Sequence, residues 1–203
     1  MKKDYCELIC ILDRSGSMAT KQTDAIGGFN EFIETQRKLP GTVSVTIALF
    51  NDKYELFCDN VDIKVVENLT DKTFIPCGMT ALLDAIGKTI NAVGERLSKT
   101  KEDQRPEKII VCIVTDGEEN SSQEFDNDKI KKMVKHQQEK YGWVFSYLGV
   151  DIDAFNAAGS IGVSGCYTAG FKGLDGYSGV KGVYGTATAF VTDYRSNPSN
   201  LKV

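Results

Sequence analysis

Five oxygen-bearing side chains in three separate stretches of this 203-residue sequence could together hold a metal ion. Asp13, Ser15 and Ser17 form an Asp-x-Ser-x-Ser sequence directly after the first apolar run. Thr80 stands in the stretch Pro-Cys-Gly-Met-Thr-Ala, and Asp116 stands in Thr-Asp-Gly at the end of the most apolar run. Each stretch alone is also typical of a turn or a helix cap. Considered together, the five side chains, which we call the oxygen cluster, point to a single binding site.

The chemistry of the oxygen cluster suits a hard divalent cation. Its three hydroxyls are neutral ligands, and its two carboxylates formally balance a charge of +2. Mg²⁺ prefers oxygen ligands in octahedral geometry and usually keeps several waters, so we predict Mg²⁺, with Mn²⁺ or Ca²⁺ as alternatives. If the carboxylates act partly through water, the metal stays electron-poor and should recruit an acidic group from a partner.

The elements that must position these side chains follow from the pattern of apolar residues. Short apolar runs alternate with longer stretches of helical periodicity, which is typical of an α/β domain with a mostly parallel sheet. We predict strands at 8–12, 43–50, 54–58, 109–114 and 143–148, with an edge strand at 163–167. We predict helices at 19–38, 80–97 and 125–140, and a short helix capped by Asp151 or Asp153. Ligand sites in such sheets lie at the carboxyl ends of the strands, where the stretches that carry the oxygen cluster would meet.

The chain length predicts a single domain over residues 1–203, because domains typically hold about 100–200 residues. In the Gly-rich segment 168–203, apolar residues from Leu174 to Tyr194 recur at helical spacing, which predicts a terminal helix. Its glycines each cost about 1 kcal/mol relative to alanine, so this helix must be stabilised by packing on the sheet. A flexible arm is the alternative.

Composition and charge exclude several classes of protein. Lys and Arg total 24 and Asp and Glu total 28, a formal net charge of −4, whereas proteins that bind nucleic acid or anionic membranes carry a basic excess. We therefore expect neither partner. No apolar run reaches the roughly 20 residues of a membrane-spanning helix, and the charged N-terminus does not resemble a signal peptide. The six scattered cysteines and single histidine argue against a zinc site and predict free thiols in a cytoplasmic protein.

The motifs of the oxygen cluster resemble those of von Willebrand factor type A domains. In that family, the metal-ion-dependent adhesion site, or MIDAS, combines an Asp-x-Ser-x-Ser after the first strand, a threonine after a glycine-containing loop and an Asp-Gly after the fourth strand. The matching positions here are Asp13, Ser15 and Ser17, then Thr80, then Asp116. The resemblance covers about residues 5–167. It implies a doubly wound, mostly parallel six-stranded sheet with one antiparallel edge strand and helices on both faces.

The resemblance also implies a function for the chain. Such a domain is not an enzyme; it binds a partner protein that offers a Glu or Asp to the metal. It also implies a switch in which Asp116 moves between direct and water-mediated contact with the metal. We expect Arg14, Met79 and Glu118, which lie close to the oxygen cluster in sequence, to form the rim that the partner contacts. Met79 stands where the family frequently has a second glycine, so the shape of this rim differs from the usual one.

Two alternative functions stay open at this point. A metal-dependent hydrolase, for instance a phosphatase that uses Asp13 or Asp151, would need an activating base, and the three stretches supply mostly hydroxyls. The sequence Asp151-Ile152-Asp153 is similar to the paired aspartates of haloacid-dehalogenase-like phosphatases, although Phe155 stands where those enzymes usually have Thr or Val. The other alternative is a scaffold whose metal site has no part in binding.

Overall fold

The computed structural model describes residues 1–149, 154–163, 168–170 and 179–196. The strands are β1 Lys2–Asp13, β2 Thr42–Phe50, β3 Tyr54–Asp62, β4 Pro106–Thr115, β5 Val144–Gly149 and β6 Thr168–Gly170. The α-helices of the described ranges are α1 Gln22–Lys38, α2 Leu82–Lys99, α3 Asn127–Tyr141, α4 Ala154–Ser160 and α5 Val180–Ser196, with short 3₁₀ helices at Gly16–Lys21 and Glu102–Gln104. None of these helices is both long and apolar enough to cross a membrane.

The strands form one sheet in the order β3-β2-β1-β4-β5-β6. Every neighbouring pair is parallel except β2 and β3, which form an antiparallel hairpin at one edge. This arrangement confirms the predicted doubly wound sheet with one antiparallel edge strand. Its central strands are nearly continuous apolar runs because both faces of the sheet are covered by helices.

The alternation of side chains along β1 divides the core into two layers. Leu8, Cys10 and Leu12 face one layer, where they pack with residues of α1 and α5. Ile9 and Ile11 face the other layer, where they pack with residues of α2 and α3. All five side chains are almost completely buried. Because β1 is fixed from both sides, the loop at its carboxyl end is held by a rigid strand.

The register of the sheet brings the ends of β1 and β4 together. Asp13 pairs with Phe50 of β2, and on the other side Leu12 pairs with Val114 of β4. Asp13 and Thr115 are therefore the last residues of adjacent strands, although they lie 102 positions apart in the sequence. The loops after β1 and β4 consequently leave the sheet at neighbouring points, as predicted.

The boundaries of several elements differ from the predictions. The helix predicted at 19–38 is divided into a 3₁₀ helix, Gly16–Lys21, and α1, which begins at Gln22. The second helix begins at Leu82, and Ala81 rather than Thr80 occupies the N-cap position. Strands β1 and β4 begin earlier than predicted, at Lys2 and Pro106, because these two residues pair across the strands although neither belongs to an apolar run.

Some predictions concern residues outside the described ranges. The proposed helix caps Asp151 and Asp153 lie there, as does most of the edge strand predicted at 163–167. The short strand β6 follows that segment at Thr168–Gly170 and pairs with β5.

The terminal helix α5 packs against α1. Its Val183 and Tyr184 are buried in the core layer that α1 also faces. The Tyr184 ring lies directly over Gly28 of α1, where an added Cβ would come within 2.6 Å of the ring atom Cδ2. This close approach explains how a glycine-rich helix is stabilised, since packing offsets its low helix propensity.

Candidate metal centre

Backbone hydrogen bonds join the loop after β1 to the loop before α2. The Gly16 amide donates to the Gly78 carbonyl at 3.0 Å, and the Cys77 amide donates to the Arg14 carbonyl at 3.0 Å. Gly78 has a φ of +74°, and a Cβ at this position would collide with the Asp52 carboxylate. Glycine is therefore required at the point where the two loops meet.

The loop after β4 is held against the start of α2. The Thr80 amide donates to Asn120 Oδ1 at 2.9 Å, and the Asn120 amide donates to the Thr80 carbonyl at 3.0 Å. The Glu119 carboxylate accepts from the Leu83 amide at 2.9 Å and from Ser122 Oγ at 2.7 Å. All three loops that carry the oxygen cluster are thus fixed to one another before any ligand binds.

The side chains of the oxygen cluster are linked by a chain of hydrogen bonds. Asp13 Oδ1 accepts from the Ser15 amide at 2.7 Å, and the Ser15 and Ser17 hydroxyls lie 3.0 Å apart. Ser17 Oγ then donates to Asp116 Oδ1 at 2.7 Å. Asp13, Ser15 and Thr80 are buried. Four of the five predicted residues are therefore directly connected.

Thr80 joins this group through the open space beside Gly117. A Cβ built on Gly117 would lie 3.2 Å from Thr80 Oγ1, 3.5 Å from Ser17 Oγ and 3.7 Å from Asp13 Oδ2. Oxygens from the loop after β1 and from the loop before α2 therefore surround one point beside Gly117 of the third loop, which is open because residue 117 has no side chain. The structure brings the five predicted residues together at the carboxyl end of the sheet.

The two carboxylates of the cluster differ in their partners. Asp13 Oδ2 accepts from Thr115 Oγ1 at 2.6 Å, and the partners of Asp13 among the described residues are neutral donors. Burial raises the pKa of the Asp13 carboxyl, and the nearby Asp116 adds to this, whereas the hydrogen bonds from Thr115 and Ser15 oppose it. Asp13 is thus a buried acid that has no cation as a hydrogen-bond partner in the described part of the chain.

Asp116 has a cation as its partner. Its side chain is 0% exposed, and Oδ2 accepts a short hydrogen bond from the Lys21 ammonium, which is 33% exposed. Lys21 is the last residue of the 3₁₀ helix after β1. One of the two negative charges of the cluster is therefore balanced from within the protein.

The donor set fits a hard divalent cation. Three hydroxyl and two carboxylate groups offer oxygen only, which is the chemistry that Mg²⁺ and Mn²⁺ select. Across the described ranges, no three His, Cys, Asp or Glu side chains are placed to hold a metal. The oxygen cluster belongs to a different type of site because three of its five ligand groups are neutral hydroxyls.

The three residues predicted to form the rim occupy different environments. Met79 is 57% exposed beside Thr80, and Glu118 is also exposed. The Arg14 side chain is only 15% exposed and forms a 2.7 Å ion pair with Glu55 on β3. The guanidinium of Arg14 is therefore engaged within the protein, while Met79 and Glu118 face solvent.

Several residues that shape the centre were not identified from the sequence. Thr115 and Gly117 flank Asp116 in the same short motif, but their contacts depend on which way the loop turns after β4. Lys21 reaches Asp116 only because the chain after Ser17 winds as a 3₁₀ helix. A lysine at this position has no local pattern that distinguishes it from an ordinary surface residue.

The fold has solved counterparts. The structure of proximal thread matrix protein 1 (PTMP1) from the mussel byssus with a zinc-occupied MIDAS motif superimposes with a TM-score of 0.64 at 12% sequence identity, over 93% of this chain and 47% of that chain. Another PTMP1 structure gives a TM-score of 0.60 at 16% identity, over 94% of this chain and 46% of that chain. At these identities the similarity is one of fold.

Sequence comparison alone finds no counterpart. No protein-family model matches the sequence, and no curated protein matches it significantly. The chain spans a little less than half the length of the PTMP1 structures that it resembles.

Proposed function

Because the chain has the fold of a von Willebrand factor type A domain, we propose that it is a divalent-metal-dependent protein-binding module. In this proposal the oxygen cluster holds Mg²⁺, and a partner protein contributes a Glu or Asp carboxylate to the ion. The zinc-occupied MIDAS of PTMP1 supports a divalent cation on this fold. The choice of Mg²⁺ rests on the all-oxygen donor set.

One observation carries the proposal. Oxygens of Asp13, Ser17 and Thr80, from loops far apart in the sequence, lie within 4 Å of a single point beside Gly117. Backbone bonds hold these loops together without a ligand, so a cation would meet a preformed site. A preformed site avoids the free-energy cost of ordering loops on binding.

Each group of the cluster would have a definite part in binding. The hydroxyls of Ser15, Ser17 and Thr80 would be neutral ligands, and the carboxylates of Asp13 and Asp116 would supply charge. When bound, the metal supplies a Lewis-acidic centre that attracts a carboxylate from the partner. The exposed Met79 and Glu118 beside the cluster would contact the residues that flank the partner's acid.

The surroundings of the cluster favour binding over catalysis. Among the described residues, the side chains that hydrogen-bond to the cluster from outside it are the Thr115 hydroxyl and the Lys21 ammonium. The ammonium is ion-paired with Asp116, so it is not available as a base. A hydrolase would need an activating base beside the metal. We therefore propose that the module is not an enzyme and that the exposed Glu118 contacts the partner rather than activating a water.

We also propose that the module works in a reducing compartment such as the cytoplasm. The five cysteines of the described ranges are free thiols. Cys6, Cys10 and Cys112 are buried in the core, where burial raises the pKa of Cys6 and of Cys112 to about 12. Reduced cysteines are usual in cytoplasmic proteins.

Metal binding by the purified chain tests the proposed site. Isothermal titration of chelator-treated protein with Mg²⁺ and with Mn²⁺ should give one binding event per chain. Asp13→Ala should abolish it, whereas Asp103→Ala, in the exposed 3₁₀ helix before β4, should not change it. Equal affinity in the wild type and Asp13→Ala would exclude the oxygen cluster as the metal site.

Partner binding is tested separately. Wild-type and Asp13→Ala protein are immobilised, exposed to cell extract with Mg²⁺, and eluted with a chelator. A partner released only from the wild type is then produced in pure form, and its Asp and Glu residues are changed to Asn and Gln one at a time. We expect one such change to abolish binding. Identical capture with and without the chelator would indicate a scaffold whose metal site has no part in binding.

A further inference from the structure

The ion pair between Lys21 and Asp116 lies inside the proposed metal centre. Lys21 Nζ donates to Asp116 Oδ2, while Asp116 Oδ1 accepts from Ser17 Oγ at 2.7 Å. Both oxygens of this carboxylate therefore have a donor, and one donor is a cation. The Asp116 side chain is completely shielded from solvent, so the ion pair is only weakly screened.

The charges of the centre are only partly balanced by this pair. The oxygen cluster has two carboxylates, and Lys21 balances that of Asp116. Within the described ranges, Asp13 accepts from the Thr115 hydroxyl and the Ser15 amide, which are neutral. A divalent cation that enters the space beside Gly117 would thus meet one free negative charge and one positive charge at close range.

From this geometry we propose that Lys21 is an internal counter-ion that competes with the divalent cation for Asp116 and so sets the metal affinity of the centre. This inference rests on the proposed metal site and adds the residue that regulates it. The ammonium stabilises the buried carboxylate of Asp116 when no metal is bound. The same charge repels an incoming cation and occupies one oxygen of a carboxylate that would otherwise bind it.

The inference predicts two opposite effects of removing the lysine charge. Without Lys21, the centre is more negative and Asp116 is free, so metal affinity rises. Without Lys21, the metal-free protein also has a second buried carboxylate with no cation, and a buried unpaired charge is strongly destabilising. A lysine that is merely structural would affect stability and leave metal affinity unchanged.

The test uses Lys21→Met, which keeps the length of the side chain and removes its charge, and Lys21→Gln, which keeps a hydrogen-bond donor. Lys21→Arg retains the charge. The matched control is Lys38→Met, which changes the net charge equally but lies at the far end of α1, about 25 Å away along the helix. Mg²⁺ and Mn²⁺ affinities are measured by titration calorimetry, and the urea midpoint is measured in chelator.

We expect the two uncharged variants to bind Mg²⁺ and Mn²⁺ at least about tenfold more tightly than the wild type, since a like charge a few ångströms away is removed. Their urea midpoints in chelator should be lower, and added metal should raise them by more than in the wild type. Lys21→Arg and Lys38→Met should keep the wild-type affinity. If Lys21→Met does not fold, Lys21→Gln carries the same prediction.

The outcomes separate this inference from the proposed function. In one outcome, Asp13→Ala abolishes metal binding, but the uncharged Lys21 variants bind metal as tightly as the wild type or more weakly. This result overturns the role of Lys21 and leaves the metal centre intact. If the uncharged Lys21 variants bind the metal and the wild type does not, Lys21 competes so strongly that it prevents metal binding to the wild type. Absence of binding in both wild type and uncharged variants overturns the metal centre and the inference together.

Discussion

Thr115 donates a 2.6 Å hydrogen bond to Asp13 across the ends of adjacent strands, and both residues are buried. This bond fixes the orientation of the Asp13 carboxylate within the oxygen cluster. Thr115→Val keeps the shape of the side chain but leaves Asp13 Oδ2 without its donor and the Gly117 amide without its acceptor. We expect the metal-free protein to lose about 1–3 kcal/mol of unfolding free energy, measured by urea denaturation in chelator, and to bind Mg²⁺ more weakly because Asp13 is less well positioned.

The matched control for this change is Thr89→Val. Thr89 is also buried, but it lies in α2, where its hydroxyl donates to the Ala85 carbonyl. The control should alter stability without altering metal affinity. Wild-type Mg²⁺ affinity in Thr115→Val would show that this hydrogen bond does not position Asp13 for the metal.

Gly117 keeps the space between the oxygens of the cluster open. Gly117→Ala would place a methyl group 3.2 Å from Thr80 Oγ1 and 3.5 Å from Ser17 Oγ, where the proposed cation must approach. We expect Mg²⁺ affinity to fall at least about tenfold, which corresponds to roughly 1.4 kcal/mol, with the fold retained. Calorimetric titration measures the first effect and circular dichroism the second.

Gly94→Ala provides the control for Gly117→Ala. Gly94 lies within α2, and among the described residues no atom outside the adjacent helix backbone lies within 4 Å of a Cβ built there. This change should stabilise the protein by up to about 1 kcal/mol and leave Mg²⁺ binding unchanged. Tight Mg²⁺ binding by Gly117→Ala would mean that the cation occupies a different position.

The sequence predicts the central part of the fold because the physical signal there is strong. Strands β1 and β4 are buried on both faces, so their apolar runs are nearly continuous. Their first residues, Lys2 and Pro106, lie outside these runs and pair with each other at the start of the two strands, so hydrophobic patterning does not predict them. The helix at 180–196 was anticipated from the spacing of its apolar residues, but the glycine contact that seats Tyr184 depends on tertiary packing.

The candidate centre could be predicted only in part. Asp13 and Asp116 follow buried strands directly, so the polarity of the sheet is enough to bring them to one edge. Thr80 was expected to begin the helix, yet its hydroxyl faces Gly117 and Ala81 takes the cap position. The partner of Asp116, Lys21, depends on the winding of a 3₁₀ helix, which local sequence does not specify.

The buried carboxyl of Glu7, which lies outside the metal centre, should make the stability of the protein depend on pH. It is fully buried in β1, where it forms an ion pair with Arg96 and accepts from Thr46 Oγ1 at 2.8 Å. Burial raises the pKa of the Glu7 carboxyl above its ordinary value of 4.5, although Arg96 and Thr46 oppose this. Above pH 4.5 the native state therefore retains a proton that the unfolded state has lost, so stability falls as pH rises.

Glu7→Gln removes this proton binding. Urea denaturation measures the unfolding free energy of the wild type and of Glu7→Gln at several pH values. We expect the value for the wild type, relative to that of Glu7→Gln, to fall as the pH rises from about 4.5 to above the pKa of Glu7 in the folded protein. Glu95→Gln is the control, because Lys99 lowers the pKa of the exposed Glu95, a shift opposite to that of Glu7. Glu95→Gln should therefore change the pH dependence of the unfolding free energy only at lower pH. A difference between wild type and Glu7→Gln that is independent of pH above 4.5 would contradict the assignment.

The neighbouring glycines Gly27 and Gly28 of α1 provide a test of how α5 packs against α1. A Cβ on Gly28 would lie 2.6 Å from Tyr184 Cδ2 and 3.3 Å from Tyr184 Cβ. A Cβ built on Gly27 has no atom within 4 Å in the described structure apart from the adjacent helix backbone. Gly28→Ala should therefore push Tyr184 out of its place and cost about 1–3 kcal/mol of unfolding free energy, as overpacking does. Gly27→Ala should instead stabilise the protein by up to about 1 kcal/mol, since it raises helix propensity without a clash. Urea denaturation compares the two variants. Equal stability of Gly27→Ala and Gly28→Ala would show that α5 does not pack on α1 through Tyr184.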